Sequence, residues 1–249
     1  MRLKIISGID GYETMRKLIF VPIIHMSADL GSIAQAASKK GESLLGEELW
    51  SKHHSTIQGD WTALGNFFKD IKAVNLKIFQ DGMLAQGEAA RQIVKEAVEK
   101  GSENYRIISE LMDGGAELML TEDYQLAKRE RDLLVGLSDN VGTVKRIGAY
   151  LKYKLQKKSL LKKRDKFIAA RIDKTLGEKE TGILFIGASH SILPILPKDI
   201  HVIPIKDQKR VSEYQKSILK AAVSGVKLSG LETLSNYLTE LISIDHESF

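Results

Sequence analysis

GILFIGASHSILPILPKDIHVIPIKD, residues 182–207, decides how this chain is read. An apolar run at 183–186 meets Gly187-Ala188-Ser189-His190, and a second run at 200–205 follows Pro194 and Pro197. Runs this short, mostly apolar and rich in Ile or Leu, fit strands buried on both faces, as in a parallel sheet. Three more of the kind occur at 18–24, 76–79 and 117–120. Segments of helical period lie between them, such as GEAARQIVKEAVEKG at 87–101 and NYRIISELM at 104–112. This alternation predicts an α/β fold with a mainly parallel central sheet flanked by helices. The 249 residues read as a single α/β domain. From about 122 to 176 no strand candidate occurs, so a helical insertion or cap is expected there, broken near Ser138-Asp139-Asn140 and Gly142. Two further helices are expected over 212–244, divided at Ser229-Gly230.

Composition narrows the function classes. Hydrophobic content of 43% and charged content of 28% are ordinary for a soluble domain with a full core. A net charge of +5 permits weak attraction to anions without demanding a nucleic-acid or membrane partner. The absence of cysteine removes disulfides, thiolate metal sites and cysteine nucleophiles. Charges interrupt the apolar residues of MRLKIISGIDGYETMRK at 1–17, so no signal peptide is expected. The strongest apolar stretch, LIFVPIIHM at 18–26, falls far short of the roughly 20 residues a membrane span needs. A soluble cytoplasmic protein is the expectation.

Open α/β sheets bind ligands just beyond the carboxyl ends of their strands. His25 follows the first run, Gln80-Asp81-Gly82 the second, Thr121-Glu122-Asp123 the third and His190 the fourth. Singly, each has a plain structural reading. His25 is a loop residue before a helix capped by Ser27 or Asp29, Asp81-Gly82 a turn pair, and Glu122-Asp123 a helix start. Together they place proton-carrying groups on four consecutive strand ends. Arg164 adds a separate signal. Its helical neighbours Leu160, Leu161, Phe167 and Ile168 are all apolar, so the guanidinium projects from a core-facing stripe, while Lys162, Lys163, Asp165 and Lys166 fall elsewhere. Arg171 lies on nearly the same face. An arginine so placed needs a carboxylate or an anionic ligand to meet it.

Other chemistries fall away. GASHS lacks the final glycine of a serine nucleophile elbow, which argues against Ser189 as nucleophile. No P-loop or strand-following G-x-G-x-x-G occurs. His53 and His54 are adjacent, point apart on a helix and read as surface residues. The lysine-dense stretch 152–166 winds around its helix and reads as a solvated face rather than a nucleic-acid patch.

The set formed by His25, Glu122, Arg164 and His190 resembles the superfamily joining TraB/PrgY pheromone-shutdown proteins, Tiki Wnt proteases, erythromycin esterases and ChaN haem-binding proteins. Gly187-Ala188-Ser189-His190 matches that family's second G-x-x-H motif, and RDKFIAARI at 164–172 resembles its arginine helix. Thr121-Glu122 resembles its acidic strand end. The first motif departs, with Pro22 where the family has glycine, and the resemblance is concentrated in residues 160–207. It implies a hydrolase of amide or ester bonds, with His25, Glu122, Arg164 and His190 as catalytic residues and a small-molecule or peptide as substrate. Two chemistries stay open. His25, Glu122 and His190, joined by Asp81, would hold a divalent ion (Mn, Co or Zn) that acidifies water. Without metal, a His–Glu pair would deprotonate water while Arg164 meets the oxyanion. The rivals are a non-enzymatic protein that captures an anionic small molecule or haem in the same cleft, and a nucleic-acid-associated protein. Homo-oligomeric assembly is left open.

Overall fold

The computed structural model describes residues 15–29, 34–138, 143–224 and 229–244. All five expected strands form: β1 (Arg16–Ile23), β2 (Leu76–Gln80), β3 (Glu117–Met119), β4 (Thr181–Gly187) and β5 (Ile200–Pro204). They make one sheet in the order β3-β2-β4-β1-β5, with every pair parallel. The expected α/β architecture is therefore the observed one.

The period of two along each strand seats two cores. Ile19, Val21 and Ile23 of β1, Ile78 of β2 and Ile183 and Phe185 of β4 face one side. They pack against α2 (Glu47–Phe68), α4 (Glu103–Asp113), α7 (Gln208–Ser224) and α8 (Ser229–Thr239), with Trp61, Ile108, Tyr214 and Leu238 at the contact. The intervening residues, Leu18, Phe20, Phe79, Leu184 and Ile186, meet Ile168, Ala169, Ile172 and Leu176 on the other side. Each such fully buried side chain contributes about 1.5–3 kcal/mol. Truncating one of them, as in Ile172→Ala, costs about 2–5 kcal/mol.

Pro22 sits in a central strand, where proline ordinarily removes a ladder bond. Here it does not. Phe20 O accepts from Ile205 N on the β5 side, whereas Ile23 O accepts from Ala188 on the β4 side. Pro22 therefore faces the β5 side, and β5 stops pairing at Phe20–Pro204.

The stretch from 122 to 176 is helical as expected, forming α5 (Tyr124–Ser138) and α6 (Thr143–Thr175). It joins β3 to β4, and the second half of α6 covers one face of the sheet. The break expected at Asp139, Asn140 and Gly142 lies outside the described residues, as does most of the N-terminal segment read for a signal peptide. The two helices expected over 212–244 form as α7 and α8, and Ser229-Gly230 opens the second of them. Helices α1 (Ala34–Leu45), α2 and α3 (Glu88–Glu99) complete the crossovers. Among the described residues no helix is long and apolar enough to cross a membrane.

Candidate functional site

Strand order decides which side chains meet. β2, β4 and β1 are neighbours, so Asp81, His190 and His25 emerge side by side at their carboxyl ends. Backbone contacts fix each one. Asp81 N donates to Phe185 O at 2.9 Å, His190 N closes a turn onto Gly187 O at 3.0 Å, and Ala188 N reaches Ile23 O at 3.1 Å. Glycine at 187 lets Asp81 and His25 approach the strand end closely. A Cβ there would stand 3.1 Å from Asp81 Oδ2 and 3.5 Å from His25 Nε2.

Asp81 is the hub. Its Oδ2 accepts from Gly187 N at 3.1 Å and lies 3.2 Å from His25 Nε2 and 3.3 Å from His190 Nε2. Its Oδ1 accepts from Arg164 Nη2 at 2.6 Å. Burial alone would raise its pKa, but the two imidazoles hold it well below the usual carboxylate range. An ionised Asp81 only accepts, so the Nε2 atom of each facing histidine carries a proton.

The two histidines then differ. His190 has Nδ1 on Asp165 Oδ1 at 2.5 Å, and the other oxygen of Asp165 takes Ser191 N at 3.1 Å. With a carboxylate at both nitrogens, His190 is an imidazolium. Its burial opposes the charge, yet Asp165 and Asp81 push its pKa up to about 9. Gln208 of α7 holds its carbonyl at 2.6 Å. His25 is different. Its Nδ1 is 4.0 Å from Asp29 Oδ2, beyond hydrogen-bond reach, and its side chain is 29% exposed where that of His190 is 3%. Burial lowers its pKa and Asp81, with Asp29 behind it, outweighs that and raises it. A neutral His25 with Nε2–H on Asp81 presents a free basic Nδ1 at the edge of the cluster.

Arg164 turns inward from α6, as its apolar neighbours predict. Its Nε meets both Glu122 oxygens at 3.1 Å, Nη2 bridges Glu122 and Asp81, and Nη1 meets Glu130 of α5. Its donors are directed at carboxylates, which corrects the oxyanion role weighed from the sequence. Glu122 is brought to the cluster through this arginine and not to the imidazoles. Burial raises its pKa, against the pull of Arg164. The metal-ligand set His25, Asp81, Glu122 and His190 is therefore not drawn around one point, and no group of three or more His, Asp or Glu side chains among the described residues is arranged to hold a metal ion. The acid that faces the two imidazoles is Asp81 and not Glu122.

Asp165, Glu130 and Asp29 complete the cluster, and the sequence reading missed their roles. Asp165 was placed away from the core, but it is 4% exposed. The signal was present: Leu161, Ile168 and Ala169 lie four before and three and four after it. Glu130 has the same surround of Leu126, Ala127, Leu133 and Leu134. Asp29 folds back to accept from Met26 N at 2.7 Å and from the Ser102 hydroxyl at the start of α4. Asp123, by contrast, fills the plain role foreseen for it, accepting from Leu126 N at 2.9 Å at the head of α5.

Residues elsewhere settle differently. Arg171 donates to Leu120 O at 3.1 Å, tying α6 to the end of β3. Lys206, beyond β5, pairs with buried Asp60 at 2.5 Å instead of joining the cluster. His54 is exposed as expected, but His53 is half-buried and stacks on Tyr214. Two hollows lie apart from the cluster: one of about 560 Å³ beside Ala73 and Gly114, at the opposite ends of the strands, and one of about 320 Å³ beside His53, Tyr214 and Ser235. Compared with family models, with curated proteins and with solved structures, the chain matches none of them.

Proposed function

We propose that the protein is a hydrolase of amide or ester bonds in which His25 is the general base and Asp81 orients it. The observation that carries this reading is the single carboxylate oxygen, Asp81 Oδ2, shared by the Nε2 atoms of His25 and His190 at 3.2 and 3.3 Å. It fixes the Nε2–H tautomer of His25 and leaves Nδ1 as the base, the logic of an Asp–His dyad. Water held at Nδ1 gives it a proton as the water oxygen bonds the substrate carbonyl carbon. The C–N or C–O bond then breaks, and the departing nitrogen or oxygen takes that proton from Nδ1. His190 and Arg164 do not touch the reacting atoms in this scheme. They keep Asp81 ionised in a buried place, where a lone carboxylate would take up a proton.

The resemblance carried by residues 164–172 and 187–190 supports the same class. The anion- or haem-capturing alternative finds less support. Asp29, Asp81, Glu122, Glu130 and Asp165 outnumber Arg164 and the two imidazoles even when both are protonated, and Arg164 has little left to offer an anion. The scheme needs no divalent ion, so bound metal is measured directly. The test assays purified protein against ester and peptide panels, before and after chelation, beside His25→Gln. Turnover by the wild type that falls at least about 100-fold in a folded His25→Gln supports the reading. A substrate turned over equally well by both proteins overturns it.

A further inference from the structure

One turn of α6 presents two opposite characters. Arg164 and Asp165 turn into the cluster, while Lys158, Lys162, Lys163 and Lys166 are exposed. Winding around the whole helix was the expectation for these lysines. Among the lysines of residues 152–166 whose side chains are described, Lys157 lies over the Tyr153 ring, and the other four share one side of the helix. At about 100° per residue the four lysines fall within an arc of roughly 140°. Ser159 and Leu155, which is 79% exposed, share that arc, and the acid that does, Asp173 near the end of the helix, is paired with Arg16. Among the described residues none of the four lysines has an ion-pair partner. Lys158, Lys162 and Lys166 rise about 6 Å apart along the axis, a rail of roughly 12 Å.

We propose that this face of α6 docks on the phosphate backbone of a nucleic-acid duplex. A protein partner fits poorly, because interfaces favour arginine and aromatic residues and are depleted in lysine. A single strand is ordinarily held by stacking its bases on aromatic rings, and this face has none. A membrane-lying helix sinks an apolar face among the headgroups, whereas the apolar face of α6 is taken up by the sheet through Leu160, Ile168 and Ile172. Duplex DNA offers one charge per roughly 1.7 Å, so a 12 Å rail passes enough phosphates for every lysine. Contacts of this kind carry no sequence information. The inference is independent of the hydrolytic reading, since these lysines touch nothing in the cluster.

The test is fluorescence anisotropy of the full chain with two labelled duplexes of unrelated sequence, at salt from about 50 to 200 mM. Four phosphate contacts give log K against log salt a slope of about −3.6, equal for both sequences. The double variant K162Q/K166Q, on an exposed face, keeps the wild-type circular dichroism, halves that slope and binds about 100-fold more weakly at the lowest salt. The proposal is overturned by no binding at low salt or by a slope unchanged in the double variant. Tighter binding to the matching single strand, or to anionic lipid vesicles, than to the duplex also overturns it.

Discussion

Replacing Arg164 by Gln tests whether the cluster is held together as described. Arg164 is 7% exposed and meets Asp81, Glu122 and Glu130, of which Asp81 and Glu122 are themselves 9% and 2% exposed. Its removal leaves two buried carboxylates without their cation, a change that costs about 3–5 kcal/mol. In a chain of this size that lowers Tm by about 6–20 °C. The pH dependence follows from the direction of the shifts. In the wild type Asp81 titrates well below its ordinary value, so the stability it lends is present above about pH 4 and lost only as pH falls through that lower value. Without Arg164 the folded-state pKa values of Asp81 and Glu122 both move up. The deficit is then largest at neutral pH and shrinks as the two groups take up protons below about pH 5. Thermal and urea melts of wild type and Arg164→Gln at pH 7 and pH 4.5 read this difference. Glu130→Gln is the control: its side chain is 30% exposed, so its loss costs about 1 kcal/mol. A loss under about 1 kcal/mol for Arg164→Gln at pH 7, or a deficit that grows in acid, refutes the reasoning.

Three further outcomes are expected. Asp165→Asn removes the leading partner that raises His190, so the pKa of His190 falls from about 9 toward its ordinary range. A wild type with His190 raised loses stability as pH climbs from about 6.5 through 9, and Asp165→Asn flattens that decline in pH-resolved melts. Gly187→Ala drives a Cβ to 3.1 Å from Asp81 Oδ2 and displaces the hub. It is expected to cost about 1–3 kcal/mol and to abolish turnover, and a fully active Gly187→Ala contradicts the packing argument. On any substrate found, kcat/KM rises with pH as His25 loses its proton, above the ordinary histidine value, and falls near pH 9 as His190 becomes neutral. A flat profile across that range removes His25 as base.

The strands were legible because both faces of this sheet are buried, and that forces unbroken apolar runs such as 183–186 into the sequence. The convergence of His25, Asp81 and His190 was legible for a related reason, since parallel strands bring successive carboxyl ends to one edge. Strand order was not. Nothing in the runs themselves says that β4 lies between β2 and β1, and that order makes Asp81 rather than Glu122 the partner of the imidazoles. Asp165 and Glu130 were hidden by their neighbours Lys162, Lys163, Arg129 and Arg131, which make both look like members of a solvated face. Apolar neighbours at three and four places, the pattern that marks Arg164, surround Glu130 and flank Asp165 on three of its four such positions.

The central claim is that one ionised Asp81 oxygen holds two protonated Nε2 atoms, with His190 charged on both sides and His25 free at Nδ1. Nitrogen-15 NMR of the histidine rings, titrated from about pH 5 to 10 and assigned with His25→Gln and His190→Gln, reads this directly. The account predicts that His190 keeps both ring protons until about pH 9, while His25 titrates earlier and becomes the Nε2–H tautomer. A His190 that loses its proton near its ordinary value, or a neutral His25 protonated on Nδ1, would contradict it.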